Sequence, residues 1–280
     1  MAVHGRAPSA VPELPEVESI VRRLRPALAG RTIESVELLR RDIWTGDIGP
    51  EALPKRSIQS VRRHGKSILI ETSSPALWLV VRLGMTGQCL IVARGADRAP
   101  HTHLVLTPGN EPWELHYRDP RRFGGWRATA SLADMDLAPD ALALRRATWQ
   151  RIMAERRGML RPLLMNQTII AGLGNIYVNE ALFAARLHPR QEASRLNDVQ
   201  RDALYRAIKS TLRQGIRWGG STIRDYRTPD GESGRFQERF RVYARAGLPC
   251  KRRCGARIEK LSAAKDAQPG FYCPRCQALA

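Results

Sequence analysis

Residues 12–28 read PELPEVESIVRRLRPAL, and the apolar positions Val17, Ile20, Val21 and Leu24 fall at the i, i+3, i+4, i+7 spacing of one helical face. Arg22, Arg23 and Arg25 occupy the opposite face. An amphipathic helix opening on a Pro-Glu-Leu-Pro-Glu run is thus the first expected element, and everything after it must supply the surface that covers its apolar stripe. Eleven residues, MAVHGRAPSAV, precede Pro12. They lack the apolar stretch of a secretory leader.

Downstream the period changes. Between Arg31 and about Ala130 the chain runs through short alternating or apolar segments, TIESVELL, SILIET, LWLVVRL, CLIVA, HLVLT and WELHYR, separated by Gly, Pro and Asp. Closely spaced strands of this kind predict a β-sandwich or barrel. The stretch SLADMDLAPDAL carries turn signals and reads as a linker. From Thr148 the helical period returns in RIMAERRGMLRPLLMN, NIYVNEALFAARL and DVQRDALYRAIKSTLRQGI, so the second half is expected to be mainly helical. WGGSTIRDYRTPDGESGRF is Gly-rich and polar, which predicts a mobile loop outside the core.

The 280 residues suffice for two domains and a small appendage, with 43% hydrophobic content for their cores. No run approaches the 18 consecutive apolar residues of a membrane helix, and a cytoplasmic location is expected. Charge points to a partner. Lys and Arg number 46 against 27 Asp and Glu, a net charge of +19. Such a balance suits a polyanion, nucleic acid first among them.

Four of the five cysteines lie near the end, in CKRRC and, 18 residues on, CPRC. In a cytosolic chain two close pairs read as one zinc ribbon rather than as disulfides. The fifth, Cys89, has no catalytic-type surroundings and reads as a small buried hydrophobe.

Several short stretches combine residue types that carry chemistry. In GLGNIYVNEALF, a glycine turn delivers Asn175 into an amphipathic helix; the turn is either purely local or a phosphate site using the first N–H groups of the helix. RDPRRFGGW sets Arg121 and Phe123 together in a turn, where an exposed guanidinium and ring could fill a base stack, or where the ring is simply buried. Met85 sits in a similar turn in RLGMTGQ, and a core role is equally open to it. Lys66 stands at the mouth of an apolar strand in VRRHGKSILIE, solvated or directed at a phosphate.

Taken together and in order, PELPEVE at 12–18, HGKSILIE at 64–71, RLGMTGQ at 82–88, DPRRFGGW at 119–126, GLGNIYVNEALF at 172–183, GGSTIRDY at 219–226 and FYCPRCQ at 271–277 resemble the formamidopyrimidine-DNA glycosylase family. PELPE resembles its oxidised-purine branch, where the endonuclease VIII branch shows PEGPE. The resemblance implies an α+β multi-domain architecture: residues 1–11 an extension, 12–131 a catalytic β-sandwich with flanking helices, 132–147 a linker, 148–245 a helical helix-two-turn-helix domain and 246–280 a zinc ribbon.

It also implies roles. The amine of Pro12 would attack the sugar of a damaged nucleotide and form a Schiff base, Glu13 would move protons, and Lys66 would contact the lesion and its phosphate. Met85, Arg121 and Phe123 would fill the void left by a flipped base, with Arg121 facing the orphaned cytosine. Asn175, Arg161 and His103 would contact DNA, GGSTIRDY would close over the lesion, and Cys250, Cys254, Cys273 and Cys276 would hold one structural zinc ion. The implied partner of this monomer is double-stranded DNA bearing oxidised bases or abasic sites, in the bacterial nucleoid. Readings that retain the architecture but not this activity are a silent damage binder and a glycosylase for oxidised pyrimidines.

Three features depart from the family pattern. The first cysteine pair is spaced C-x3-C rather than C-x2-C. Gln268 stands where the family carries a phosphate-gripping Arg, with Lys265 as the nearby cation, and weaker DNA binding or altered lesion preference is expected. Finally, Pro12 is preceded by Val11, and an amide nitrogen cannot form an iminium. Because GTG encodes Val and also initiates translation in GC-rich bacteria, which the abundant Arg and Ala suggest, Val11 is expected to be the true start, removed to expose Pro12.

Overall fold

The computed structural model describes residues 11–73, 75–135, 137–223, 226–261 and 268–279. Most of the extension, residues 224–225 of GGSTIRDY and Lys265 lie outside them. Helix α1, Leu14–Leu28, forms as its pattern predicts: Val17, Ile20, Val21, Leu24 and Leu28 are buried, while Arg22, Arg23 and Arg25 face solvent. Pro15 lies in the first turn, where its missing N–H is not needed.

Nine strands follow among the described residues: β1 Ile33–Leu38, β2 Trp44–Thr45, β3 Ile58–His64, β4 Ser67–Thr72, β5 Leu77–Arg82, β6 Gln88–Ala93, β7 Thr102–Pro108, β8 Trp113–Arg118 and β9 Gly125–Thr129. They form two sheets, ordered β1-β7-β8-β6 and β2-β9-β5-β4-β3. All pairings are antiparallel except the short β2–β9 contact. This is the predicted sandwich. Ile68, Ile70, Leu79 and Val81 of one sheet and Leu104, Leu106 and Leu115 of the other share a core with the apolar face of α1. Cys89 is buried in that core, as expected.

Strands β3 and β9 escape a reading based on apolar runs. β3 is the edge of its sheet, so IQSVRRH can carry polar residues along its length. β9 is a five-residue strand that leaves the Gly124–Gly125 turn directly. The hairpin joining β3 to β4 pairs His64 with Ser67 and leaves only Gly65 and Lys66 in the turn.

The second half contains α2 Arg146–Glu155, α3 Leu160–Met165, α4 Asn175–Ala185 and α5 Asp198–Arg217, then the hairpin β10 Glu259–Leu261 and β11 Gly270–Tyr272. RIMAERRGMLRPLLMN is two helices rather than one, because Pro162 is acceptable only in the first turn of a new helix. Helix α2 starts at Arg146, inside the expected linker. Helix α4 differs more. It is buried on every side from Asn175 to Phe183 instead of being amphipathic, and its polar residues anchor the zinc module and the segment leading into it. Asn179 Oδ1 accepts the Phe271 N–H at 2.7 Å, and Glu180 accepts the N–H groups of Arg241, Val242 and Tyr243. The helices and the zinc module therefore share one core, with Phe240, Tyr243, Phe271 and Cys273 packed among α2–α5.

The polar stretch after α5 also differs from expectation. Ser221, Tyr226, Thr228 and Phe236 are buried. Tyr226 packs into the sandwich core and donates its hydroxyl to Glu16 O at 3.2 Å and Gly219 O at 3.0 Å. Polarity misleads here because buried hydrogen-bond partners across the two halves satisfy these groups.

Candidate active site

The two halves meet at the first turn of α1. Glu13 is 3% exposed, and its carboxylate crosses to the start of α4, where Oε1 accepts the Ile176 N–H at 2.8 Å and Oε2 the Tyr177 N–H at 3.3 Å. The anion at this helix N-terminus is thus the chain's own Glu13. The glycine turn makes room for it: a Cβ on Gly174 would stand 2.5 Å from Glu13 Cδ. Burial pushes Glu13 up to about 7, opposed by the Lys66 charge and the two N–H bonds and assisted by Glu16. Burial likewise pushes the Lys66 ammonium down, with Glu13 and Glu16 holding it partly up. Pro12 and Lys66 line a cavity of about 480 Å³ together with Arg82, Gly84, Phe123 and Gln167. A buried carboxyl raised towards neutrality next to a lysine charge is a candidate for proton transfer.

Glu16, one helical turn beyond Glu13, has no role in the sequence reading. It is 1% exposed. Its Oε2 accepts the Glu13 N–H at 3.0 Å, and its Oε1 accepts the Tyr177 hydroxyl at 2.8 Å and both the N–H and hydroxyl of Ser221. Burial raises its carboxyl, and these hydrogen bonds act against that rise. The second Glu of PELPE, three residues after the first, is the signal that could have singled it out.

Across the cavity, two turns interlock. Asp119 is fully buried and accepts hydrogen bonds from Gly124 N at 2.9 Å, Arg121 N at 3.3 Å, Tyr117 Oη at 3.3 Å and Thr86 Oγ1. Gly84 takes φ +57°, and a Cβ there would lie 2.4 Å from the Phe123 carbonyl carbon. The result is a platform carrying Met85, Arg121 and Phe123. Arg121 Nη1 is 3.8 Å from Met85 Sδ, its Cζ is 5.5 Å from the Phe123 ring centre, and Phe123 is 63% exposed. The ring is therefore not a core residue. His103 sits beneath the platform, 7% exposed, with Nε2 2.9 Å from Asp119 O; the exposed histidine of this segment is His101.

Arg161 and Asn175 lie together at the opposite edge. Arg161 Nη2 donates to Asn175 Oδ1 at 2.7 Å and to Gln268 O at 2.6 Å, while Asn175 Nδ2 donates to Pro269 O at 3.0 Å. The start of α4 is thereby fixed to the segment leading into β11.

The sulfur atoms of Cys250, Cys254, Cys273 and Cys276 lie within 4.8 Å of one another, with 3.9 Å between Cys250 and Cys276 and 3.5 Å between Cys254 and Cys273. A tetrahedral zinc thiolate centre needs sulfur separations of about 3.8 Å, so the donor set fits zinc. Arg253 absorbs the additional residue of C-x3-C by taking φ +55°.

Known proteins resemble the chain over 95% of its length. Residues 11–126 match the formamidopyrimidine-DNA glycosylase N-terminal domain, 137–227 its H2TH domain, and 247–279 the zinc finger found in FPG and IleRS. The formamidopyrimidine-DNA glycosylases of Exiguobacterium sp. and Serratia proteamaculans are each 38% identical to the chain, over 95% of its length and 99% and 100% of theirs. Among solved structures, the complex between Lactococcus lactis Fpg and abasic-site DNA superposes with a TM-score of 0.85 at 30% identity, covering 95% of this chain and 99% of that one. The MutM (Fpg) protein of Thermus thermophilus gives 0.84 at 36% identity, covering 96% and 100%. With all three domains matched in order, the chain belongs to the formamidopyrimidine-DNA glycosylase family of DNA-repair glycosylases.

Proposed function

We propose that the protein is a bifunctional glycosylase and abasic-site lyase that removes oxidised purines, 8-oxoguanine and formamidopyrimidines, from double-stranded DNA. The observation that carries this reading is the buried Glu13 carboxyl, held on the N–H groups of Ile176 and Tyr177 immediately after Pro12, which lines one cavity with Lys66. The Pro12 nitrogen forms a bond to the sugar C1′ as the bond from C1′ to the base breaks, and the base leaves with a proton. Loss of the nitrogen proton and opening of the sugar ring then give an iminium. Glu13 has the pKa to deliver and recover these protons. Abstraction of a proton next to the iminium expels the 3′ phosphate, and a second elimination expels the 5′ phosphate.

Reaching C1′ requires the nucleotide to leave the helix, at a cost of a few kcal/mol. Met85, Arg121 and Phe123 are suited to occupy the space it vacates, Arg121 against the unpaired base. Lys66, Arg161, Asn175 and His103 serve the phosphates and the lesion in this reading, and GGSTIRDY covers the flipped base. The four cysteines hold one zinc ion that shapes the hairpin, with no open coordination position for chemistry. The enzyme acts as a monomer in the cytoplasm.

The chemistry needs Pro12 as a free secondary amine, so removal of residues 1–11 belongs to the proposal. Borohydride trapping on an 8-oxoguanine duplex, with intact-mass analysis of the protein made from its native gene, tests it. A covalent adduct on a chain beginning at Pro12 is expected. Tight binding without an adduct on that chain indicates a silent damage binder, and preferential trapping on oxidised pyrimidines indicates the other substrate class. Full activity in a chain that retains Met1 or Ala2 would overturn the role of Pro12.

A further inference from the structure

Helix α5 has two contrasting faces. Leu204, Ile208, Leu212 and Ile216 point into the core, and Gly215 approaches so closely that a Cβ would stand 2.4 Å from the Tyr177 ring. This inner face backs α4 and α1, the two helices that Glu13 and Glu16 tie together. Beyond the first turn, the exposed residues of the outer face are Arg206, Ser210, Arg213 and Arg217. Their i, i+4, i+7, i+11 spacing makes one stripe about 16 Å long.

Each end of the stripe opens into a basic depression. The first, about 410 Å³, is lined by Arg145, Tyr205, Arg206, Lys209 and Arg213. The second, about 790 Å³, is lined by Arg217, Trp218, Arg239, Arg241, Lys251 and Arg252. Neither shares a residue with the cavity that holds Pro12 and Lys66.

The charge here is unbalanced. Some exposed arginines elsewhere are paired, as Arg22 is with Glu18, Arg23 with Asp230 and Arg62 with Glu71. Among the described residues, Arg206, Arg213, Arg217, Arg239, Arg241 and Lys251 have no carboxylate within ion-pair distance. The nearby acids are held by other groups: Asp202 by Arg146 and Gln150, and Glu238 by Arg235. Arg239 lies over Trp218, 4.2 Å from its ring centre, which fixes one guanidinium at the rim. Crowding cations without acids costs stability, and a polyanion reverses that cost.

We propose that the outer face of α5 is a second DNA-binding track, which takes the sugar-phosphate backbone of a segment other than the one bound at Pro12. The stripe matches a backbone in form, because it is a line of guanidinium groups without a closed pocket for a base, and guanidinium forks suit phosphate oxygens. Two faces of one domain could then hold two segments at once, as transfer between DNA segments requires. The assignment rests on the proposed function only in taking the Pro12 cleft as the site of damaged DNA.

The test uses the full zinc-loaded protein saturated with a short abasic-analogue duplex, to which a labelled undamaged duplex is added at low salt. A ternary complex is expected. Combined Arg206→Ser, Arg213→Ser and Arg217→Ser substitutions should weaken it at least about tenfold and reduce its salt slope by about 2 to 3, one increment per lost phosphate contact. Affinity for the first duplex and the melting temperature should not change, since these side chains have no ion-pair partners among the described residues. No second duplex bound, or equal binding by the variant, overturns the track. Binding of a polyglutamate peptide but not of the second duplex also overturns it, assigning the face to an acidic protein. Failure to bind the first duplex would instead count against the proposed function.

Discussion

Glu16 and Ser221 are joined twice: Glu16 Oε1 accepts the Ser221 N–H at 2.6 Å and its hydroxyl at 3.0 Å, across 205 residues of chain. The same carboxylate holds the Tyr177 hydroxyl and the Glu13 N–H. One buried group thereby ties the first turn of α1 to α4 and to the segment after α5. Four donors converging on it suit an acceptor-only carboxylate.

Glu16→Gln places an amide donor among those donors and leaves at least one unmet. A loss of about 1–3 kcal/mol in urea unfolding is expected, against about 1 kcal/mol for Ser221→Ala. The double variant should lose less than the sum, with a coupling of at least about 0.5 kcal/mol. Strict additivity would show that the two residues act independently.

Glu13 makes stability depend on pH. Its carboxyl is raised in the fold from the ordinary 4.5 to about 7, so the folded state binds the proton more tightly than the unfolded state. The contribution is complete below about 4.5 and is lost as pH rises through about 7, a loss on the order of 3 kcal/mol. Glu16 acts in the same direction, and the informative quantity is therefore the difference between Glu13→Gln and the parent. Denaturation at a series of pH values from 4 to 8 should show the parent losing stability relative to the variant. Parallel curves would mean that Glu13 titrates normally.

Much of this architecture is legible in the residues. The stripe Val17, Ile20, Val21, Leu24 placed α1, the apolar runs placed most strands, and two cysteine pairs placed the zinc module. The losses have a common cause, in that hydropathy records what a residue prefers and not which partners await it. Asn175, Asn179 and Glu180 give α4 a polar side, which is anchored to the zinc module and the segment leading into it. Ser221 and Tyr226 lay in a stretch too polar to be counted as buried, although Glu16 completes their bonding. The edge strand β3 was hidden by its arginines. Glu13, Lys66 and Phe123 could be named from motifs alone, but the placement of Glu13 on the N–H groups of Ile176 and Tyr177 is a tertiary fact.

If the platform fills the space of a flipped base, stability and DNA binding should separate in it. Phe123 is exposed, so Phe123→Ala should change unfolding free energy by no more than about 0.5 kcal/mol. The same variant should weaken binding to an abasic-analogue duplex, because base stacking on an aromatic ring contributes about 1–3 kcal/mol. Asp119→Ala should do the reverse in kind, destabilising the fold by about 1–3 kcal/mol through its orphaned donors and weakening DNA binding only by releasing the turn. Equal losses of stability in the two variants would refute the division between wedge and support.

Gln268 offers a test of the expectation that an arginine at this position would grip a phosphate. Its carbonyl oxygen is held by Arg161 Nη2 at 2.6 Å, and the next carbonyl, of Pro269, is held by Asn175 Nδ2 at 3.0 Å. The backbone is thus fixed beside the start of α4, and a long side chain at 268 starts from a defined point. A glutamine there is neutral, whereas an arginine would bring a planar fork that can bind a phosphate through two N–H groups. Gln268→Arg should therefore tighten binding to abasic-site DNA by about tenfold, in line with about 1.5–3 kcal/mol for a charged hydrogen bond, and steepen the salt slope by about 1. Binding measured at two or more salt concentrations distinguishes this from a general gain in charge, which a Lys at the same position would supply in slope without the same gain in affinity. An arginine variant with unchanged affinity and slope would show that position 268 does not face the DNA backbone.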